Sequence, residues 1–175
     1  MRSQRAWLDP FVGRADEMER LLLCREGALA GRGRMVVLAG PAGIGKSRLV
    51  EEFIIASAGP TCSGHAVERV AAPLRLWRRL LAGMPGGTEM LERELASLRF
   101  ADDAGGQVDM FDAVCDFLRS AAQPSGLIVI LEDLHWADQL SLGLLGHLNA
   151  ELPASRLLVV ATCRPEAATG SLAPL

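Results

Sequence analysis

The stretch GPAGIGKS, residues 40–47, decides how the chain is read. It fits G-x-x-x-x-G-K-[S/T] in full, and its flanks fit as well. MVVLA (35–39) is a short β-branched run that reads as a buried strand, and SRLVEEFIIASA (47–58) reads as a helix. Glycines let a backbone curl until its N–H groups converge on an anion. The helix starting near Ser47 adds the positive end of its dipole. Lys46 is the only lysine in the chain; the other Lys/Arg positions are all arginine. Lysine is a point charge on a slim stem, and arginine is a broad planar fork. A loop closed around a phosphate admits the first and excludes the second. The stretch therefore reads as a nucleotide phosphate site built from Gly40, Pro41, Ala42, Gly43, Ile44, Gly45, Lys46, Ser47 and Arg48. Lys46 is expected on the β- and γ-phosphates, and the Ser47 hydroxyl on Mg²⁺.

Further along, the apolar run LIVIL (127–131) ends in Glu132 and Asp133. Carboxylates at the end of a buried strand can hold the metal of a nucleotide complex, a role assigned to Glu132. Asp133, one residue on, is placed to orient or deprotonate an attacking water. Arg164 follows the apolar run RLLVVAT (156–162) and is expected on the γ-phosphate side. Asp138 reads as the start of a helix over 138–149, because acids favour that end. Trp136 reads as a packing residue, and His135 as a core or surface residue.

The remaining segments alternate in type. Helices are expected over 14–30, 72–84 (with Pro73 in the first turn), 88–98 and 107–122. The last carries Val108, Phe111, Cys115 and Leu118 on one face. ADDAGGQ (101–107) reads as a polar loop, and CSGHAV (62–67) as a weak strand. Strands alternating with helices imply an α/β fold, a parallel sheet covered on both faces: the three-layer P-loop NTPase sandwich. Such sheets bind ligands at the carboxyl ends of their strands.

Composition excludes several classes. The charged fraction is 22% and the formal net charge is -3, which speaks against DNA binding by this chain. No apolar run is long enough to span a bilayer, and the N-terminus has no apolar signal core. Cys24, Cys62, Cys115 and Cys163 lie far apart and read as reduced residues of a cytoplasmic protein. The base-reading NKxD motif of GTPases is absent, since the one asparagine, Asn149, is followed by alanine. QLSLGLLG (139–146) does not supply the LSGGQ of an ABC cassette. The missing NKxD disfavours GTP; a small-molecule kinase is left open, although an acid pair after the strand is less typical there.

FVGR (11–14), MVVLAGPAGIGKSRLVEEF (35–53), LIVILEDLHWAD (127–138) and LLVVATCRPE (157–166) together resemble the ATPase domain of bacterial STAND-type AAA-related regulators. That group includes large ATP-binding transcription regulators ending in a LuxR-type helix-turn-helix. The resemblance spans about residues 11–166. It implies that Phe11, Val12 and Gly13 (segment 1–13) line the adenine side and that 14–166 form the ATPase core. It also implies that Glu132 and Asp133 are the Walker B pair, where the family more often has two aspartates. Arg164 matches the sensor arginine of the fourth strand. The family's sheet runs 2-3-4-1-5, and its fifth strand follows a region like GSLAPL (170–175). The chain therefore reads as truncated, with sheet order 2-3-4-1, a tail at 167–175, and no fifth strand or lid. The function this implies is a slowly hydrolysing ATP switch that self-associates or works with regulatory domains. The alternative is a nucleotide-binding or interaction module without turnover.

Overall fold

Two runs of the chain, Leu127–Glu132 and Leu157–Cys163, are apolar along nearly their whole length, as expected for strands buried on both faces. The computed structural model, which describes residues 13–68, 73–98 and 104–165, places them side by side at the centre of a parallel sheet. The elements in chain order are α1 (Ala15–Leu29), β1 (Arg34–Ala39), α2 (Lys46–Ser57), β2 (Thr61–His65), α3 (Arg75–Leu81), α4 (Gly87–Leu98), α5 (Ala104–Ala122), β3 (Leu127–Glu132), α6 (Gln139–Glu151) and β4 (Leu157–Cys163). The sheet order is β1-β4-β3-β2, and every pairing is parallel. This is the 2-3-4-1 order read from the other side. β1 and β2 are the edges of this four-stranded sheet, so neither is as deeply covered as β3 and β4.

Alternation along the strands divides the interior in two. Ile128, Ile130, Leu158 and Val160 meet Leu21 of α1 and Leu49, Val50 and Phe53 of α2. Val129, Leu131, Leu157, Val159 and Ala161 face the opposite way, onto α3, α5 and α6, with Trp77, Leu118 and Leu145 among the buried residues. The result is a sandwich of helix, sheet and helix layers. Gly64 lets α3 lie close on β2, because a Cβ there would stand 2.4 Å from the Leu76 carbonyl oxygen.

Three sequence expectations change. The helix expected over 72–84 spans only Arg75–Leu81, and Pro73 precedes it. Leu74 adopts φ 56°, a left-handed conformation that ends the helical run on its N-terminal side. α5 begins at Ala104, inside the expected polar loop. Its glycines disfavour helix by about 1 kcal/mol each, but burial of Met110, Phe111 and Val114 outweighs them. Val108 lies on the exposed side of α5, with 48% of its surface accessible, so the buried stripe runs through Met110, Phe111, Val114, Cys115 and Leu118.

Cys62, Cys115 and Cys163 are buried and Cys24 is half-buried; all four are free thiols. Burial pushes the Cys62 and Cys115 thiols up to about 12. Among the described residues, no helix is long and apolar enough to cross a membrane.

Candidate functional site

The loop between β1 and α2 owes its shape to two glycines. Gly43 and Gly45 adopt φ 79° and 91°, values that cost any other residue a Cβ clash. Gly40 anchors the loop, its N–H donating to the Cys163 carbonyl at the end of β4 (3.3 Å). Lys46 folds over the loop and donates from Nζ to the carbonyls of Gly40 (2.7 Å) and Pro41 (3.0 Å). Burial raises the Cys163 thiol, and the Lys46 ammonium opposes that shift.

The start of α2 is built for an anion. Gly45 is its N-cap and has no side chain with which to close the first turn, and no acid lies in that turn. The turn instead holds Lys46 and Arg48, cations at the positive end of the helix dipole. That placement is unfavourable until a negative charge arrives. Arg48 is also paired along the helix with Glu52 (2.6 Å).

One pocket collects most of the expected side chains. It is lined by Ala42, Gly43, Gly45, Lys46, Ser47, Arg48, Asp133 and Arg164. Segments more than a hundred residues apart in sequence meet there because β1 and β4 are neighbours and β3 lies beside β4. Gly40, Pro41 and Ile44 shape the loop without lining this pocket.

The two acids of the strand end behave differently. Glu132 shares the face of Ile128 and Ile130, which pack on α2, so it lies on the α2 side, although it does not line the pocket. Asp133 would alternate to the other face, but its backbone is left-handed at φ 57° and ψ 46°. With that turn Asp133 lines the pocket beside the loop. The strain, of order 1–3 kcal/mol, is held by the Asp133 N–H, which donates to Thr162 Oγ1 (3.0 Å). The two carboxylate oxygens face imidazoles: Oδ2 lies 3.6 Å from His65 Nδ1, and Oδ1 lies 3.9 Å from His135 Nδ1.

Gly13, at φ 85°, does not line the phosphate pocket; it heads a groove between α1 and α2. Phe11 and Val12 lie outside the described residues. Asp138 caps α6, accepting from Ser141 N (2.9 Å) and Ser141 Oγ (2.7 Å).

Three residues, Arg14, His65 and Thr162, have no role legible in the sequence, and a fourth, Trp136, reads there as packing. Arg14 donates to the Ile44 carbonyl and so ties the start of α1 to the loop. It closes the FVGR stretch, which was the available signal. His65 and Thr162 occupy strand ends, where ligands are expected. Trp136 lies beneath the guanidinium of Arg164, whose Cζ is 5.8 Å from the ring centroid.

The donor set suits a magnesium–nucleotide complex. Among the described residues, no three His, Cys, Asp or Glu side chains are grouped as a metal cage. Mg²⁺ needs no such cage, because it takes one or two protein oxygens and completes its shell with phosphate and water. The uncapped start of α2, whose first turn brings Ser47 to the pocket, offers one such oxygen in its hydroxyl.

A family model described as an AAA ATPase domain matches residues 10–160. The match takes in the loop and the acid pair and stops before Arg164. A comparison with curated proteins finds no match.

Proposed function

As this chain belongs to the AAA ATPase domain family, we propose that it binds ATP with Mg²⁺ at residues 40–48 and hydrolyses it slowly. We place it as the switch domain of a cytoplasmic signalling or transcription-regulating protein of the STAND type. The observation that carries this reading is the convergence of Lys46, Ser47, Arg48, Asp133 and Arg164 on one pocket at the carboxyl edge of the sheet.

In this reading the loop amides and the first turn of α2 bind the phosphates. Lys46 exchanges the carbonyls of Gly40 and Pro41 for β- and γ-phosphate oxygens. Ser47 and Glu132 hold Mg²⁺, which when bound neutralises phosphate charge. Asp133 orients the attacking water and accepts its proton. Arg164 faces the γ-phosphate and reports its presence. Phe11, Val12 and Gly13 take the adenine side. Bound ATP then holds one conformation of the regulator, and hydrolysis releases it.

The test is calorimetric binding of Mg·ATP to the wild-type chain and to Lys46→Ala, with phosphate release measured in parallel. Equal affinity for both chains would sink the site assignment. The placement of both Asp133 carboxylate oxygens toward imidazoles favours a second reading, a nucleotide-binding module without turnover. Phosphate release no faster than that of Asp133→Asn selects it.

A further inference from the structure

We infer that Trp136 is a positioning residue for Arg164, and that through it the site distinguishes a nucleoside triphosphate from a diphosphate. The inference rests on the nucleotide reading above and adds a residue to it.

Arg164 leaves β4 directly after Cys163 and is exposed. An exposed arginine at a strand end has many rotamers, and ordering it on a ligand costs conformational entropy. Here the guanidinium carbon stands 5.8 Å from the centroid of the Trp136 ring, within the range of a cation–π contact. The same arginine lines the phosphate pocket with Lys46 and Asp133. The ring thus holds the charge at the pocket before any ligand arrives.

The platform is itself fixed. Leu134–Trp136 form a single 3₁₀ turn. Trp136 N–H donates to the Asp133 carbonyl (2.9 Å), and Ala137 N–H to the Leu134 carbonyl (3.0 Å). Leu134 is buried, and the Trp136 ring leans on His135 at 4.9 Å and 44°. Asp133 N–H binds Thr162 Oγ1, two residues before Arg164. Arm and platform therefore hang from the same pair of strand ends. Packing does not account for the ring. Trp136 is 38% exposed and belongs to neither buried cluster.

The consequence is selective. The loop and the first turn of α2 reach the phosphates that ATP and ADP share. Arg164 enters the same pocket from the end of β4, and in this reading it is the cation that meets the third phosphate. Removing Trp136 should weaken ATP and spare ADP.

The experiment is calorimetric titration of the full chain with Mg·ATP and Mg·ADP in the wild type, Trp136→Leu, Trp136→Phe, Arg164→Ala and the Trp136→Leu/Arg164→Ala double variant. Trp136→Leu is expected to weaken ATP roughly fivefold and ADP less than about twofold. Trp136→Phe retains a π face and keeps most of the ATP preference. In the Arg164→Ala background, Trp136→Leu changes nothing further. Equal weakening of both nucleotides, no change in their ratio, failure of phenylalanine to rescue, or a loss that persists without Arg164 overturns the inference. A wild-type chain that binds neither nucleotide defeats the nucleotide reading, and the inference with it. If both bind and only the ratio fails to move, the inference alone falls. Should Trp136→Leu not fold, tryptophan fluorescence of the wild type decides. A change on ATP but not on ADP, absent from Trp136→Phe and from Arg164→Ala, is required.

Discussion

Two helices, α2 and α6, begin at the carboxyl edge of the same sheet, and they are closed in opposite ways. α6 starts at Asp138, whose carboxylate accepts from Ser141 N and Ser141 Oγ, and from Leu74 N at 3.4 Å. Its first turn is satisfied by the chain itself. α2 starts at Gly45, which offers no side chain, and carries cations in its first turn. Both helix starts carry the same partial positive charge. A helix start that brings its own carboxylate is architecture. One that gathers positive charge and has no side-chain cap is suited to an outside anion.

The comparison can be broken most forcefully at the acid beside the open end. Asp133→Asn is expected to slow phosphate release about 10²- to 10³-fold, with ATP affinity changed only a few-fold. Single-turnover hydrolysis beside equilibrium binding separates the two effects. Lys46→Ala comes next. Loss of charged hydrogen bonds predicts ATP affinity about ten- to a hundredfold weaker with little change in melting temperature. A large fall in melting temperature would mean that the open end is structural after all.

Asp138→Ala is the mirror experiment. Ser141 is fully buried, so losing its partner should cost about 2 kcal/mol of stability, read by urea unfolding, with ATP affinity within about twofold. An ATP defect there would erase the distinction between the two ends. The smallest effect concerns the core beneath both. Cys62 and Cys115 stay protonated in the fold up to about 12, while unfolded thiols ionise near 8.5–9. Their stabilisation is complete below that range and declines as pH rises through it toward the folded value. Unfolding free energy should therefore drop by roughly 1 kcal/mol between pH 8 and 9, and Cys62→Ala/Cys115→Ala should flatten the slope.

Much of this was legible in the chain. The order of strand, glycine loop and helix, the continuous apolar runs of β3 and β4, and the Asp138 cap are local patterns, and local sterics and burial enforce them. Other features were not legible. Val108 continues the spacing of Phe111 and Cys115, yet it faces solvent, because the helix turns its covered stripe through Met110 and Val114. The strand pattern would carry Asp133 away from the loop; a left-handed backbone, tied to Thr162, brings it back. Trp136 read as packing, because no spacing rule links it to an arginine 28 positions later.

By itself, the sequence determined that a phosphate loop would form between a strand and a helix, and that an acid pair would end a buried strand. Those outcomes depend on contacts within a few residues. Only the tertiary structure decided that Arg14, His65, Thr162 and Trp136 gather around them. The parallel crossover order β1-β4-β3-β2 brings distant strand ends to one edge, and the twisted geometry of that edge, not any local preference, sets which side chains touch.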